Sequence, residues 1–589
     1  MRKWKFEEFK LDASTRIIHH PFICMDTENN PRTGEFICGC LYGEYKNHHG
    51  NKIKVEEKFT DRFKLMDRVK QIAKAGGKKN IPFYLGLFNA EYDLYYIREI
   101  VNDYSRIEVN GRLITARLNI GGKRGIPVMD ATNHVRGSLE SWIYFLKMDE
   151  KYGIQKLSLD NLEERCLMDT KATYYLFKWL EDMYYNEFKI NMKFTIGSCA
   201  REYFRKYFQK ENFIRNNQFL NNFERKAYRG GRVEVFIRGR QKVKAYDINS
   251  MYISIMKDAL LPIPQSAQYV SPREVENHGK NTSRGEDIHS FDINTLSIIH
   301  CKVHVPRQII APLPYYDEQA KKLIFPIGTF EGYWTNVELK NAMKYGVKIL
   351  EVYDYIYYKR SDYIFRDFAI TVWKKRQEHK SAGNADLDYL YKTIGNSLYG
   401  KFGEQHYKST WIRIDDTDDL ENAEIKEWMG NKYIFQSQPK QDSRHTFPCI
   451  PVFITSYARI KLLNTMKSIG EENVVYCDTD SIHILAKSKQ QINSSSKLGD
   501  FKYEYTKRQT YYRPKMYGEK KKGVPKRARI SHIRNRNRLR FRYRKPTKRK
   551  ESIRRGLSQN KWIKVHKEIS LEDDKRVWNG NRSMPIRLK

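Results

Sequence analysis

The chain has 589 residues, of which 40% are hydrophobic and 13% aromatic, and its formal net charge is +38. This composition supports large buried cores and excludes a wholly disordered chain, while the positive charge predicts a polyanionic partner, with nucleic acid ahead of an anionic membrane. No apolar run approaches the roughly 18 residues of a membrane span, and the N-terminal segment lacks an apolar signal region, so we expect neither a membrane-embedded nor a secreted protein.

The first third of the chain mixes predicted strands with a long helix. Residues 16–28 have the pattern of a strand that ends in acidic residues, and residues 81–88 have that of a second buried strand. The segment that begins at residue 167 has apolar residues at helical spacing. We therefore expect an α/β domain up to residue 190. The eight cysteines do not form the two closely spaced pairs that are typical of a zinc site. We expect them to be free thiols in a reducing compartment.

Two acidic segments stand out further along the chain. Asp247 follows a short strand-like run, and residues 474–485 predict a hairpin with Asp478 and Asp480 at its tip. Carboxylate oxygens are hard ligands that Mg²⁺ takes together with substrate phosphates. The hairpin is therefore a candidate metal site, although a single acidic turn is more often a solvated loop.

Helices are predicted near 335–344 and within 362–399. The second region places Lys392 and Asn396 one helical turn apart, with Tyr399 close to the same face. A lysine on this face can meet a triphosphate as a point charge, and a tyrosine can present a flat surface to a base or a sugar. An ordinary amphipathic helix would show the same spacing.

The segment 519–556 carries 18 lysine and arginine residues and two acidic residues. Arginine recurs at every second position from 534 to 544, and apolar side chains such as Leu539 and Phe541 lie between the arginines. Period two is the strand period, so we expect a β-ribbon with an arginine face and an apolar face. A disordered basic tail is the alternative.

Three motifs occur in a fixed order: D-x-N-S-x-Y at 247–252, K-x-x-x-N-S-x-Y-G at 392–400 and Y-x-D-T-D-S at 476–481. Together they resemble the motif set of family B DNA polymerases. Three further elements resemble those of the compact, protein-primed members from small phages and linear plasmids: Y-x-G-G at 228–231, T-x-x-A-R at 455–459 and K-x-Y at 515–517. One departure is Ile253, which stands where the family often has proline.

The resemblance implies a multidomain α/β and α+β chain, in which an RNase H-like 3′–5′ exonuclease domain precedes a right-hand polymerase with palm, fingers, thumb and two insertions. The boundaries that we expect are 1–190 for the exonuclease domain, 191–235 for a connecting segment, 236–260 and 451–500 for the palm, 261–360 for the first insertion with part of the palm, 361–402 for the fingers, 403–450 for the second insertion, and 501–589 for the thumb with a basic extension.

The resemblance also implies roles in the polymerase site. Asp247 and Asp478 would be the principal ligands of two Mg²⁺ ions, with Asp480 beside them and the carbonyl of Ile248 as a further ligand. The implied nucleotide contacts are Tyr252, which would block a 2′-hydroxyl, and Lys392, Asn396, Tyr399 and Lys515. The implied DNA contacts are Tyr228, Gly230, Gly231, Thr455, Arg459 and Tyr517.

A second acidic set resembles the DEDD exonucleases. Its carboxylates are Asp26, Glu28, Asp93 and Asp169, which would hold two further Mg²⁺ ions, and Mn²⁺ can substitute in either site. The implied contacts to a single-stranded primer end are Asn89, Ser138 and Leu139. The third exonuclease element normally begins with tyrosine, but Arg165 stands there, and a charged guanidinium cannot copy a phenol. A degenerate editing domain is therefore an open alternative.

The implied partners are a DNA template and primer, dNTPs and a terminal priming protein. We expect a monomer that binds no membrane and works in the host cytoplasm or nucleoid. One alternative is a family B polymerase that extends only nucleic-acid primers and has a degenerate exonuclease. The other is a non-catalytic single-strand-binding protein, which would use basic charge and aromatic stacking but would need no carboxylates near phosphate.

Overall fold

We analysed a computed structural model of the chain. The structure describes residues 21–30, 33–75, 83–109, 112–120, 125–154, 161–275, 292–406, 409–414, 425–428, 431–437, 441–443, 445–518, 520–521, 529–533, 538–546, 551, 555 and 562–588. Among the helices in these ranges, none combines the length and the apolar character needed to cross a bilayer. All eight cysteines lie within these ranges, and each is buried with a free thiol, as predicted.

The N-terminal domain is built on a seven-stranded sheet. Its strands, in spatial order, are Lys52–Phe59, Phe36–Lys46, Phe22–Asn29, Tyr84–Leu87, Gly125–Asp130, Arg112–Asn119 and Val101–Val109. The third, fourth and fifth strands of this order run parallel, and the other pairings are antiparallel. This is the RNase H-like arrangement that the resemblance implied. Strands lie within both predicted segments, at Phe22–Asn29 and Tyr84–Leu87, while positions 16–20, 81 and 82 of the predictions lie outside the described residues.

Helices cover both faces of this sheet because its central strands are apolar on both sides. Ile23 and Met25 are buried in the core under helix Arg62–Lys74, whereas Phe22 and Cys24 face helix Leu162–Asn186. The remaining helices of the domain and of its connection are Leu139–Phe145, Met148–Tyr152, Ile196–Tyr207 and Gln218–Lys226, with 3₁₀ turns at Asp93–Ile100 and Ala131–Asn133.

The palm is a second seven-stranded sheet, entirely antiparallel, with helices Met251–Asp258 and Cys449–Ile469 packed nearby. Its strands in spatial order are Lys520–Lys521, Met516–Tyr517, Phe501–Arg513, Gly239–Ile248, Ser481–Leu485, Val474–Asp478 and Val233–Val235.

The predicted start of the thumb at residue 501 is wrong. Strand Phe501–Arg513 pairs with the central palm strand from Ile248 to Gly239, and the two short strands after it extend the same sheet. The physical reason is that the central strand needs a hydrogen-bonding partner on each edge. The palm therefore continues to residue 521.

A five-stranded sheet forms the first insertion. Its order is Ala267–Val270, Lys348–Tyr358, Ser297–Val305, Ile327–Thr335 and Arg587–Leu588, and helix Asn336–Met343 follows the fourth of these strands. Smaller elements here and nearby are the strand pairs Leu261–Pro262 with Ser361–Asp362 and Tyr315–Asp317 with Lys322–Ile324, and 3₁₀ turns at Pro264–Ser266 and Glu471–Asn473.

The fingers are a pair of helices, Arg366–Ser381 and Ala385–Phe402, within the predicted region. Gly395 packs so closely on the palm that a Cβ there would lie 2.5 Å from Cδ1 of Ile253. Ile253, the departure from the family pattern, thus fills the contact between fingers and palm. The second insertion contributes strands Gln405–His406, Ser409–Ile414, Ile425–Trp428, Asn431–Ser437 and Gln441–Asp442.

Two strands of the basic segment, Arg529–Ile533 and Arg538–Pro546, form a three-stranded sheet with the later strand Trp562–Ser570. In its central strand Leu539 and Phe541 are buried, whereas the arginines between them are exposed, which confirms the predicted alternation. Positions 534 and 536 lie outside the described residues. The chain then forms the hairpin Arg576–Asn579 with Arg582–Pro585 and ends against the first-insertion sheet.

Candidate active sites

Antiparallel pairing brings the two principal acidic residues to one face of the palm sheet. Ser481 pairs with Asp247 on one side and with Asp478 on the other. Directly paired residues of an antiparallel sheet project to the same face, so the two carboxylates flank one strand at the same end. Both line a cavity of about 520 Å³ together with Asp480 and Lys515.

Backbone contacts at the hairpin tip hold the third carboxylate beside the first two. Thr479 adopts a left-handed conformation with φ of 61°, and the amide of Ile248 donates to the carbonyl of Asp480 at 2.8 Å. The tip also contacts the Y-x-G-G element, because a Cβ at Gly231 would lie 2.8 Å from Cγ2 of Thr479. The acidic tip is therefore fixed by two distant segments of the chain.

The electrostatics of this cleft suit a cation. Burial, followed by the nearby charges of Asp480 and Glu504, raises the pKa of Asp247 to about 7. Burial likewise raises the pKa of Asp480. Lys515 binds Asp478 through its ammonium group, and the hydroxyl of Tyr476 donates to the same carboxylate at 3.0 Å. Clustered carboxylates that disfavour one another's ionisation fit a divalent cation, which would compensate their charge.

The fingers face the same cleft. Lys392 is exposed on the fingers helix, and its charge partly offsets the rise that burial causes in the pKa values of Asp247 and Asp480. Asn396 is exposed one turn further along. The rings of Tyr252 and Tyr399 stack with centroids 4.6 Å apart and planes inclined by 19°. The structure therefore joins the first and second motifs through a tyrosine pair.

Two residues predicted to contact DNA are buried instead. Arg459 is 3% exposed and forms a double ion pair with Glu338 at 2.8 and 3.0 Å, and it also donates to the carbonyls of Arg229 and Gly230. Thr455 is also 3% exposed and donates to a carbonyl within its own helix. Arg459 therefore supports the Y-x-G-G loop from beneath. Direct DNA contact by these two side chains stays a prediction.

The other predicted DNA contacts of the polymerase part lie at the surface or along the cavity. Gly230 is exposed, and Tyr228 and Gly231 are half-buried. Tyr517 is buried against Tyr476, with ring centroids 4.9 Å apart, and its side chain lines the cavity. Their contacts with DNA stay predictions.

Sequence reasoning missed Glu504 in the polymerase cavity. This residue lies at a β-bulge between Tyr503 and Tyr505, where the pairing with strand Gly239–Ile248 shifts by one residue. A bulge redirects a side chain relative to the regular alternation. The sequence KLGDFKYE contains the carboxylate, but it carries no signal for the bulge.

The N-terminal domain holds a second carboxylate cluster. Asp26, Glu28 and Asp169 each place one oxygen within 4.8 Å of the others, the only such triple of potential metal ligands among the residues that the structure describes. Burial, and then the neighbouring carboxylates, raise the pKa of Asp26. Three acidic oxygens at this separation suit a divalent cation.

The fourth predicted ligand, Asp93, lies outside this triple. Its carboxylate is 1% exposed and accepts hydrogen bonds from the amide and hydroxyl of Thr27 at 3.0 and 2.8 Å. In this structure Asp93 therefore secures the strand that carries Asp26 and Glu28. Both of these bonds go to Oδ1, so the assignment of Asp93 as a direct metal ligand stays a prediction.

Two of the three predicted contacts to single-stranded DNA, Asn89 and Ser138, are exposed on the surface of the N-terminal domain. Asn89 has φ of 67°, and its backbone N–H donates to Oδ1 of Asp130 at 3.0 Å. Sequence reasoning missed Asp130, although an acid directly before a short helical turn is a capping signal. Ser138 is exposed and caps the helix that begins at Leu139, whose side chain packs on the core.

The fold and these sites define a two-module protein, an RNase H-like domain followed by a right-hand polymerase fold. A family model described as "DNA polymerase type B, organellar and viral" matches residues 143–497. The chain belongs to this family, and the predicted family B architecture is confirmed.

Curated relatives include fungal and phage proteins. A "Probable DNA polymerase" of Neurospora intermedia is 28% identical over 370 residues, which are 60% of this chain and 37% of that protein. One of Ascobolus immersus is 23% identical over 568 residues, covering 87% and 45%, respectively. The "DNA-directed DNA polymerase" of Enterobacteria phage PRD1 is 27% identical over 312 residues, covering 50% and 49%. The chain thus spans less than half of the length of these relatives.

The fold resembles solved structures of one phage enzyme. Phi29 DNA polymerase, complexed with primer-template DNA and incoming nucleotide substrates, superposes with a TM-score of 0.66 at 16% identity, covering 94% of this chain and 100% of that chain. At this identity the likeness establishes the fold.

Proposed function

We propose that the chain is a template-directed DNA polymerase that transfers deoxynucleotides to a 3′-hydroxyl. The observation that carries this proposal is the shared cavity of Asp247, Asp478 and Asp480, which Lys392 approaches from the fingers. A single-strand-binding protein would have no need of these acids, because carboxylates repel phosphate.

Different residues of the cleft bind and orient different parts of the substrate. Lys392 neutralises triphosphate charge, and the stacked pair of Tyr252 and Tyr399 supports the sugar and the nascent base pair. When substrate binds, the ammonium group of Lys515 leaves Asp478 and binds an oxygen of the primer or of the triphosphate. When bound by Asp247, Asp478 and the carbonyl of Ile248, a pair of Mg²⁺ ions would supply stabilisation of the charge on the attacking and leaving oxygens.

A primer-extension assay tests this function. The full chain, with a labelled primer on a template, dNTPs and Mg²⁺ or Mn²⁺, should extend the primer in the order that the template dictates. Absence of incorporation with both metals would refute the proposal.

We further infer that synthesis is primed by a protein, as in the relatives that the additional motifs resemble. Two insertions of the expected position support this, since they offer surface beyond the catalytic core. Incubation with a cognate terminal protein and labelled dNTP should transfer label covalently to that protein. Primer extension without such transfer would favour the alternative that only nucleic-acid primers are used.

The compartment that we propose is that of the template, the host cytoplasm or nucleoid.

For the N-terminal cluster we propose 3′–5′ exonuclease activity. Asp26, Glu28 and Asp169 would hold the divalent ion, and the exposed Ser138 would bind the primer end. The expected result is slow, metal-dependent shortening of labelled single-stranded DNA from its 3′ end when dNTPs are absent. Intact substrate after prolonged incubation with Mg²⁺ or Mn²⁺ would show that the domain is degenerate.

The exposed arginine face of the basic segment is proposed to grip DNA phosphates. Arg542 and Arg544 pair across the sheet with His566 and Lys564, so basic side chains lie opposite one another at this end of the face. The double variant Arg542→Gln/Arg544→Gln should reduce the slope of log K against log salt concentration by about 1.8, because each neutralised phosphate contributes about 0.9.

The other end of the same strand supplies the matched control. Arg538 and Arg540 already bind Glu568, at 3.3 and 2.6 Å. Their double glutamine variant should change the slope less. Equal changes in both variants, measured by fluorescence anisotropy over a salt series, would contradict localisation of the contact to the end of the face that carries Arg542 and Arg544.

A further inference from the structure

An arginine lies against the carboxylate cluster of the N-terminal domain. Arg165 is on helix Leu162–Asn186, one turn before Asp169. Its Nε atom is 3.5 Å from Oε1 of Glu28 and 3.9 Å from Oδ2 of Asp169. The guanidinium therefore contacts two of the three carboxylates that converge in this cluster.

The charges of the site explain why a cation is favourable there. Asp26, Glu28 and Asp169 lie within 4.8 Å of one another, and burial removes much of the solvent screening. A guanidinium stays charged throughout the physiological pH range and presents several donors in a planar fork. Arg165 thus places a permanent positive charge beside two of the carboxylates that would bind a divalent ion.

We propose that Arg165 is a resident counter-cation of this cluster, which stabilises the carboxylates without metal and weakens their affinity for divalent ions. This inference rests on the proposed metal site of the exonuclease. A bound divalent ion must either displace the guanidinium from Glu28 and Asp169 or lie beside it, and both alternatives cost binding free energy. The expected consequence is a site that fills only at high metal concentration.

The test measures metal binding directly. In the full chain, Asp247→Asn and Asp478→Asn first remove the principal ligands of the polymerase cleft. Free Mn²⁺ is then titrated by electron paramagnetic resonance in this background and in the same background with Arg165→Gln. We expect Arg165→Gln to tighten the dissociation constant for Mn²⁺ about tenfold, because one neighbouring positive charge is removed. Equal dissociation constants in the two proteins would overturn the inference.

Two further variants separate a local effect from a general one. Arg165→Lys keeps the charge and should retain an affinity close to that of the parent. Lys58 offers a matched control, because it binds Glu164 of the same helix and is 34% exposed, against 30% for Arg165. Lys58→Gln should leave the dissociation constant unchanged, and an equal tightening by this variant would contradict a specific role for Arg165.

Stability supplies an independent readout. Without metal, the thermal midpoint of Arg165→Gln should fall below that of the parent, and Mn²⁺ should raise the midpoint of the variant more than that of the parent. If Arg165→Gln fails to fold, Arg165→Tyr provides a bulkier neutral side chain for the same titration, with the same expected tightening. Absence of Mn²⁺ binding in all variants would refute the metal site itself, whereas binding that is insensitive to residue 165 would refute only this inference.

Discussion

Asp247→Asn or Asp478→Asn should lower the rate of dNTP incorporation by about a thousandfold or more while leaving DNA affinity nearly unchanged. Both substitutions keep the shape of the side chain but remove the charge that would hold a divalent ion. The two carboxylates flank Ser481 on one face of the palm sheet, so neither can readily take over the position of the other.

The measurement is single-turnover primer extension, with anisotropy to follow DNA binding. Asp354→Asn is a suitable control, because the side chain of Asp354 is 16% exposed, as is that of Asp478, but lies on the first-insertion sheet beside His300. This control should extend primers at the parental rate. Retained incorporation by either cleft variant would refute the assignment of the metal ligands.

Arg459→Leu should reduce the free energy of unfolding by about 3–5 kcal/mol, because it leaves the buried carboxylate of Glu338 without its partner. The side chains of the pair are 3% and 4% exposed, so water cannot replace the lost hydrogen bonds. The carbonyls of Arg229 and Gly230 lose their donor as well. We therefore expect weaker primer extension in the fraction that remains folded.

Chemical denaturation would measure this loss. The double variant Arg459→Leu/Glu338→Leu should recover part of the stability, since it removes the unpaired charge along with its partner. Arg538→Gln, which breaks a pair whose arginine is 51% exposed, should cost no more than about 1 kcal/mol. A small effect of Arg459→Leu, comparable with that of Arg538→Gln, would show that the buried pair does not hold the loop.

Local pattern was sufficient for much of the architecture. Alternation of arginine with Leu539 and Phe541 predicted a strand with two unlike faces, and the structure shows this alternation in its described part. The hairpin carrying Asp478 and the helix carrying Lys392 were predicted for the same reason, since side-chain period reports secondary structure directly. The order of three motifs then predicted that their segments meet at one family B polymerase site, with the second motif on the fingers.

Only the tertiary structure decided which polar side chains meet which partners. A bulge turns Glu504 into the cleft, Thr27 takes up the carboxylate of Asp93, and Glu338 draws Arg459 into the interior. None of these contacts follows from sequence spacing, because each joins segments brought together by packing and by the need to satisfy buried polar groups. The sequence by itself determined the family, the strands and helices that carry the motifs, and the identity of the acidic residues. Packing decided the direction in which each acid points and the charge that opposes it.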